Sequence, residues 1–233
     1  MVIILMYVDD FLITNSNDQL ITEVSEILHQ QFKLKDLGST GDSPLENVSA
    51  YQRLIGRLMY VTITRPNISY AIHTLSQFMQ HPKKSHWEAA LRVVRYLKNS
   101  PGQGIWLRSG PASELQCWCD SNWAACPNIR RSVTGYVVKF GESLISWKSN
   151  KQQTVSKSSA ESKYRSMASA VAEVTRLLGL FQELGIPIKL PVLEQCASKS
   201  AIQLASNPIF HERTKHIEID CHFIRDKIKE GVV

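Results

Sequence analysis

Nowhere does this chain carry the run of roughly 20 apolar residues that a bilayer-crossing helix needs. Its first apolar stretch, Met1-Val-Ile-Ile-Leu-Met-Tyr-Val8, is cut by Asp9 and Asp10 and follows no basic leader, so neither a membrane span nor a secretory signal is expected. Paired cysteines are missing as well. The five present (Cys117, Cys119, Cys126, Cys196 and Cys221) are odd in number and lack metal-finger spacing, which fits reduced thiols in an intracellular protein, cytoplasmic or nuclear, better than a disulfide framework. His211, His216 and His222 match no zinc motif. What remains is ordinary: 233 residues, 43% of them hydrophobic, enough for one large or two modest domains with a buried core. Twenty-seven Lys and Arg against 21 Asp and Glu leave a net charge of +6, a moderate attraction toward phosphate backbones.

Three segments differ in period. Residues 1–37 read as strand, acidic turn, strand, then a helix from about Asp18, where Ile21, Val24, Ile27, Leu28 and Phe32 recur near helical spacing. Residues 38–47, rich in Gly, Ser and Pro, form a linker. From Val48 to Lys98 the period is helical. Tyr51, Leu54, Ile55, Leu58 and Met59 make one stripe, Pro66 breaks the chain, and Ile68, Ala71, Ile72, Leu75 and Phe78 make a second. After Pro82, a Ser85–Glu88 capping box opens a third helix lined by Trp87, Leu91, Val94 and Leu97, with Arg92, Arg95 and Lys98 on its polar face. Beyond about Glu114 the composition turns β-rich. Strands are expected over 115–120, 133–140 and 144–148, an antiparallel meander, followed by a long helix from Ser159 that buries Tyr164, Met167, Ala168, Val171, Val174, Leu178 and Phe181. A fourth strand over 192–197 and a short helix over 200–206 complete an α/β pattern whose crossover lays the fourth strand beside the first.

Asp9 and Asp10 at a strand end read two ways. Asp is a common turn residue, and paired carboxylates are also how phosphoryl-transfer sites hold divalent metals. The motifs lean toward the second. Tyr7-Val-Asp-Asp10 resembles the palm hairpin of reverse transcriptases, and Gln31-Phe-Lys-Leu-Lys-Asp-Leu-Gly38 resembles the segment that follows it in copia-type LTR retrotransposon polyproteins. Leu54-Ile-Gly-Arg-Leu-Met-Tyr60, Thr64-Arg-Pro-Asn-Ile-Ser-Tyr-Ala71, Cys119-Asp-Ser-Asn-Trp-Ala124, Arg130-Arg-Ser132, Ser158-Ser-Ala-Glu161 and Arg213-Thr-Lys-His216 continue that likeness in order.

The resemblance implies a reverse transcriptase palm remnant over 1–37, a helical thumb- or connection-like region over 48–110, and a ribonuclease H-like domain over 111–233 that is truncated at its C-terminus. Its chemistry would be Mg²⁺-dependent hydrolysis of RNA in an RNA–DNA hybrid, with Asp120 and Glu161 as catalytic and metal-holding acids and Asp9 and Asp10 as those of the polymerase. Glu161 also has an ordinary reading, as the partner of Ser158 in a capping box. The family's third acid follows a Cys at the end of the fourth strand. This chain has Ala197 there, then Ser198, and a methyl group cannot ligate a hard cation. The fourth acid would lie beyond Val233. Glu218 and Asp220 sit on an earlier helix that the resemblance makes structural. The polymerase side would lack its third palm acid and its fingers, and the junction from Gly38 to Pro44 reads as an internal deletion. Both activities are therefore expected to be lost or strongly impaired, in a marginally folded decayed fragment with an open sheet edge. The alternative is a non-catalytic module holding RNA–DNA hybrid or other nucleic acid through Arg130, Arg131, Lys148, Lys151 and Lys157, with Trp123 or Trp147 stacking on bases if exposed. No membrane partner is expected.

Overall fold

The computed structural model describes residues 3–7 and 10–14 as backbone, and residues 42–126, 129–206 and 217–233 in full. The expected helix from Asp18, together with Asp9, His211 and the Arg213–His216 motif, lies outside the described residues. Two compact units divide the chain, Met1–Ser43 and Pro44–Val233.

In the first, β1 (Ile3–Tyr7) pairs antiparallel with β2 (Asp10–Thr14), in a register that sets Ile3 opposite Thr14 and Tyr7 opposite Asp10. This is the anticipated hairpin, with two residues between its strands.

The second unit begins with helices. Asn47 caps α1 (Val48–Val61), its side-chain oxygen accepting from the Ala50 N–H at 2.9 Å. Tyr51, Ile55 and Leu58 recur at helical spacing and are buried. They pack with Ile68 of the 3₁₀ turn Pro66–Ile68, with Ile72 and Leu75 of α2 (Ser69–Ser76), and with Ala90 of α3 (Lys84–Asn99). Buried Tyr51 donates its hydroxyl to the Leu75 carbonyl at 2.8 Å, and burial pushes its pKa up to about 12. The start of α3 differs from the expected Ser85–Glu88 box. Lys83 is the cap, and its backbone N–H donates to Nδ1 of His86 at 3.1 Å while the His86 ring stacks on Phe78. The phase shifts accordingly: Trp87, Ala90, Val93 and Leu97 meet the core, and Val94 is exposed.

The α/β part follows as a meander of β3 (Leu115–Asn122), β4 (Val133–Phe140) and β5 (Ser143–Lys151), then α4 (Ser159–Glu183). β6 (Leu193–Cys196), α5 (Lys199–Ser206) and α6 (Glu218–Lys229) complete it. The sheet order is β5-β4-β3-β6, with β6 parallel to β3 and the other neighbours antiparallel. Alternation along β3 buries Leu115, Cys117, Cys119 and Ser121 while Asp120 stays exposed. Against that buried face α4 sets Tyr164, Met167, Ala168, Val171, Val174, Leu177 and Phe181, and the expected Leu178 packs against the same core partly buried. Cys221 and Ile224 of α6 close the same core. No helix among the described residues is long and apolar enough to cross a membrane.

One buried cation organises the helical part. Arg65, 4% exposed, donates from Nη1 to the carbonyls of Ser100 and Gln103, each at 2.8 Å, and from Nη2 to the Gln103 side chain, with Tyr96 beneath its guanidinium. It thus ties the 3₁₀ turn to the chain leaving α3. A lysine has no planar fork for these divergent acceptors. Arg65→Lys is expected to cost about 1–3 kcal/mol, read as a lower urea midpoint for Tyr51-centred unfolding.

Candidate functional site

Asp120 is brought to the site by β3 and Glu161 by the first turn of α4. The helix start explains much of Glu161. Ser158, extended at φ −146°, accepts the Glu161 N–H on its hydroxyl at 3.1 Å, and the Glu161 carboxylate reaches back to the Lys157 N–H at 2.7 Å. The reciprocal capping pair is therefore present, with its return bond one residue before the cap. The other carboxylate oxygen takes Nε and Nη2 of Arg165, at 3.3 and 2.9 Å, one turn along the helix. Both oxygens of this buried acid are thus committed to protein donors, and its charge also suits the helix N-terminus.

Asp120 is placed differently. Its side chain is 64% exposed, and Oδ1 faces Lys163 Nζ at 3.4 Å. It lines an open groove of about 310 Å³ with Tyr70, Ser121, Asn122, Val133, Gly135 and Ser149. Between the two acids the backbone is stitched by hydroxyls. The Ser121 and Ser162 hydroxyls meet at 2.8 Å, and Ser166 donates to the carbonyl of Asp120 at 2.6 Å, a distance of 3.1 Å separating it from that of Gly135. Gln152 donates to the Ser162 carbonyl and the Thr134 hydroxyl and accepts from Ser156.

The remaining candidates fall into separate places. Ala197 is exposed at the end of β6, and Ser198 spends its hydroxyl on the Ala201 N–H at the start of α5. Glu218 is exposed, whereas Asp220 is half-buried, its carboxyl raised by burial and drawn back by Arg165. Asp10 opens β2. Among the described residues no group of three or more His, Cys, Asp or Glu side chains could hold a metal ion. Two acids already matched by Lys163 and Arg165 do not fit the convergent anionic oxygens that a pair of hard cations takes. Of the basic residues named from the sequence, Arg130, Lys148 and Lys157 are exposed, and Lys151 donates to Gln77. Trp123 is 37% exposed, with its indole N–H on the Ser156 carbonyl, and Trp147 is partly buried in β5.

Lys163, Arg165 and the serines were not anticipated as site residues. Arg165 had a signal, since Glu161 and Arg165 stand at i,i+4. Ser162 and Ser166 had another, as small polar residues inside an otherwise apolar helix face.

Beside Asp120 lies a thiol and carboxyl cluster. In the parallel pair Cys117 stands opposite Glu194 and Cys119 opposite Cys196. The facing Cys196 and burial raise the Cys119 thiol, while the facing Cys119 lowers Cys196, which also feels Lys163. Burial pushes the Glu194 carboxyl from 4.5 up to about 7, against a hydrogen bond from Cys119, and its Oε1 is buried without a hydrogen-bond partner. An acid raised in the folded state favours folding fully below its unfolded pKa and loses that contribution as pH climbs through the folded value. Stability should therefore fall from about pH 4.5 to about pH 7 by on the order of 3 kcal/mol. Glu194→Gln should flatten that part of a urea-midpoint against pH curve; an unchanged slope would place the titration elsewhere.

No family model matches the chain, and no solved structure matches it. Curated relatives do. The chain is 40% identical over 189 residues to the Retrovirus-related Pol polyprotein from transposon RE2 of Arabidopsis thaliana, covering 81% of this chain and 13% of that protein. It is 33% identical to the corresponding polyprotein from transposon RE1 of the same plant, over 100% of this chain and 19% of the relative. It is also 30% identical to the Uncharacterized mitochondrial protein AtMg00810 of Arabidopsis thaliana, over 74% of this chain and 92% of that protein. The chain thus spans less than a fifth of the polyproteins' length. The RE1 match runs over 283 positions, 50 more than the 233 residues of the chain, so that relative carries at least that many positions absent here.

Proposed function

Because the chain belongs to the copia-type retrovirus-related Pol polyproteins, we propose that its α/β part is a ribonuclease H-like domain that no longer cuts RNA–DNA hybrids. One observation carries the reading. Asp120 and Glu161, which the resemblance makes the first two acids of such a nuclease, each face a cation of α4, and Ala197 follows β6. Cutting a phosphodiester by this chemistry requires carboxylates that converge on Mg²⁺, which activates water and steadies the departing oxygen. In this chain Arg165 and the Lys157 N–H hold Glu161, and Lys163 holds Asp120, so binding hybrid would leave the attacking water without an activator. Loss of such preorganised electrostatics costs 10³-fold or more in rate, as an order of magnitude.

The rest of the chain takes its role from the same membership. Residues 1–37 are the remnant of a polymerase palm, with Asp9 and Asp10 standing for two of its acids, and the β1–β2 ladder supports this. Residues 48–110 are a thumb- or connection-like helical region. The 50 additional positions in the RE1 match support an internal deletion, which we assign to the linker over 38–47.

A second reading has one observation in its favour: Arg130, Lys148 and Lys157 are exposed on a chain of net charge +6. Capture of nucleic acid without cleavage would then persist, weak and steeply salt-dependent.

A labelled RNA–DNA hybrid incubated with the full chain in Mg²⁺ should remain intact at the level of a buffer blank, and Asp120→Asn should change nothing. Cleavage above the blank that Asp120→Asn abolishes would overturn the defective-nuclease reading. Ala197→Asp alone should not restore turnover, because Arg165 and Lys163 still occupy the other acids.

A further inference from the structure

Cys119 and Cys196 are the only two of the described cysteines that face one another across neighbouring strands. β3 and β6 run parallel with these residues in register, and both side chains belong to the face that α4 covers. Neighbouring strands lie about 4.7–4.9 Å apart, inside the Cα separation of about 4.4–6.8 Å that a disulfide spans. Other pairings are disfavoured by placement: Cys117 is opposed by Glu194, Cys126 lies in the β3–β4 connection, and Cys221 is on α6.

We propose that Cys119 and Cys196 are a reversible redox pair, forming an intramolecular disulfide that fastens β6 to β3 beside Asp120. Cys196 is partly exposed and Cys119 is 5% exposed, so Cys196 meets the oxidant first. With glutathione disulfide, the Cys196 thiolate attacks one sulfur, making a mixed disulfide and expelling one glutathione thiolate. The Cys119 thiol, giving up its proton to the departing glutathione as it attacks, then displaces the second glutathione from the Cys196 sulfur. Two protein thiols are oxidised, one glutathione disulfide is reduced to two glutathiones, and the two thiol protons pass to the departing thiolates. In-register Cβ atoms of parallel strands stand near the strand spacing, wider than the roughly 3.8 Å of a relaxed disulfide, which makes the bond easily reduced. The proposal does not depend on any nuclease ancestry.

The full chain, oxidised with glutathione disulfide and then alkylated in denaturant, should show its reactive thiols falling from five to three. Its mass should fall by about 2 Da without a glutathione adduct, and dithiothreitol should reverse both changes. Digestion should yield one cross-linked peptide pair, containing Cys119 and Cys196, and Cys126→Ser should retain it. Five alkylatable thiols after oxidation, a stable glutathione adduct on Cys196, or a cross-link joining any other pair would overturn the proposal.

Discussion

The close approach of α4 to the sheet is the constraint on which this fold depends, and it is made by small side chains. Ser162 and Ser166 stand on the helix face above Ser121, Asp120 and Gly135, and their hydroxyls end on the Ser121 hydroxyl and on a strand carbonyl. A larger residue at either serine would lift the helix from the sheet. A Cβ at Gly135, the register partner of Asp120, would come to 3.7 Å from the Asp120 carbonyl, ordinary contact in a seam already closely packed. The apolar stripe farther along α4, from Met167 to Phe181, then buries itself against Cys117, Val138 and the α6 residues. Sequence places the serines, the serines set the helix height, and the helix height puts Glu161 and Lys163 where they meet their partners.

Charge is balanced locally around that seam. Glu161 has Arg165, Asp120 has Lys163, and Asp220 feels Arg165 from the neighbouring helix. Carboxylates brought near one another repel unless a cation intervenes. In this chain the cations are covalently part of the helix. The fold therefore has no electrostatic need for a bound ion at these acids.

Much of this was legible in the sequence. Period-two runs gave the three meander strands within a few residues, and the stripe from Tyr164 to Phe181 gave α4 along its whole length. The placement of β6 next to β3 was expected from the crossover, and the structure adds that the two run parallel. The errors were in phase. Val93 rather than Val94 meets the core, since both lie at the margin of an apolar arc and three-dimensional packing chooses between them, and Leu177 joins the expected Leu178 against the sheet. The cap of α3 was missed because a backbone bond to a histidine ring imitates the Glu of a capping box. At the site, Asp120 and Glu161 could be named from motif position, but their pairing could not. Lys163 and Arg165 are two among 27 basic residues, and which of them turns inward depends on the tertiary fold. The Cys119–Cys196 contact was likewise hidden, because 76 intervening residues separate two cysteines that only strand register unites.

β6 stands at the rim of the sheet, where a long flat strand would recruit others by its unpaired amides. This one is four residues long; Pro191 before it has no amide hydrogen, and the Val192 amide is already occupied by the Val232 carbonyl. Exposed Leu193 is sticky, but few backbone groups are left to turn that stickiness into an ordered ladder. The rim is consequently a poor seed for fibrils, and any self-association there should be loose and amorphous.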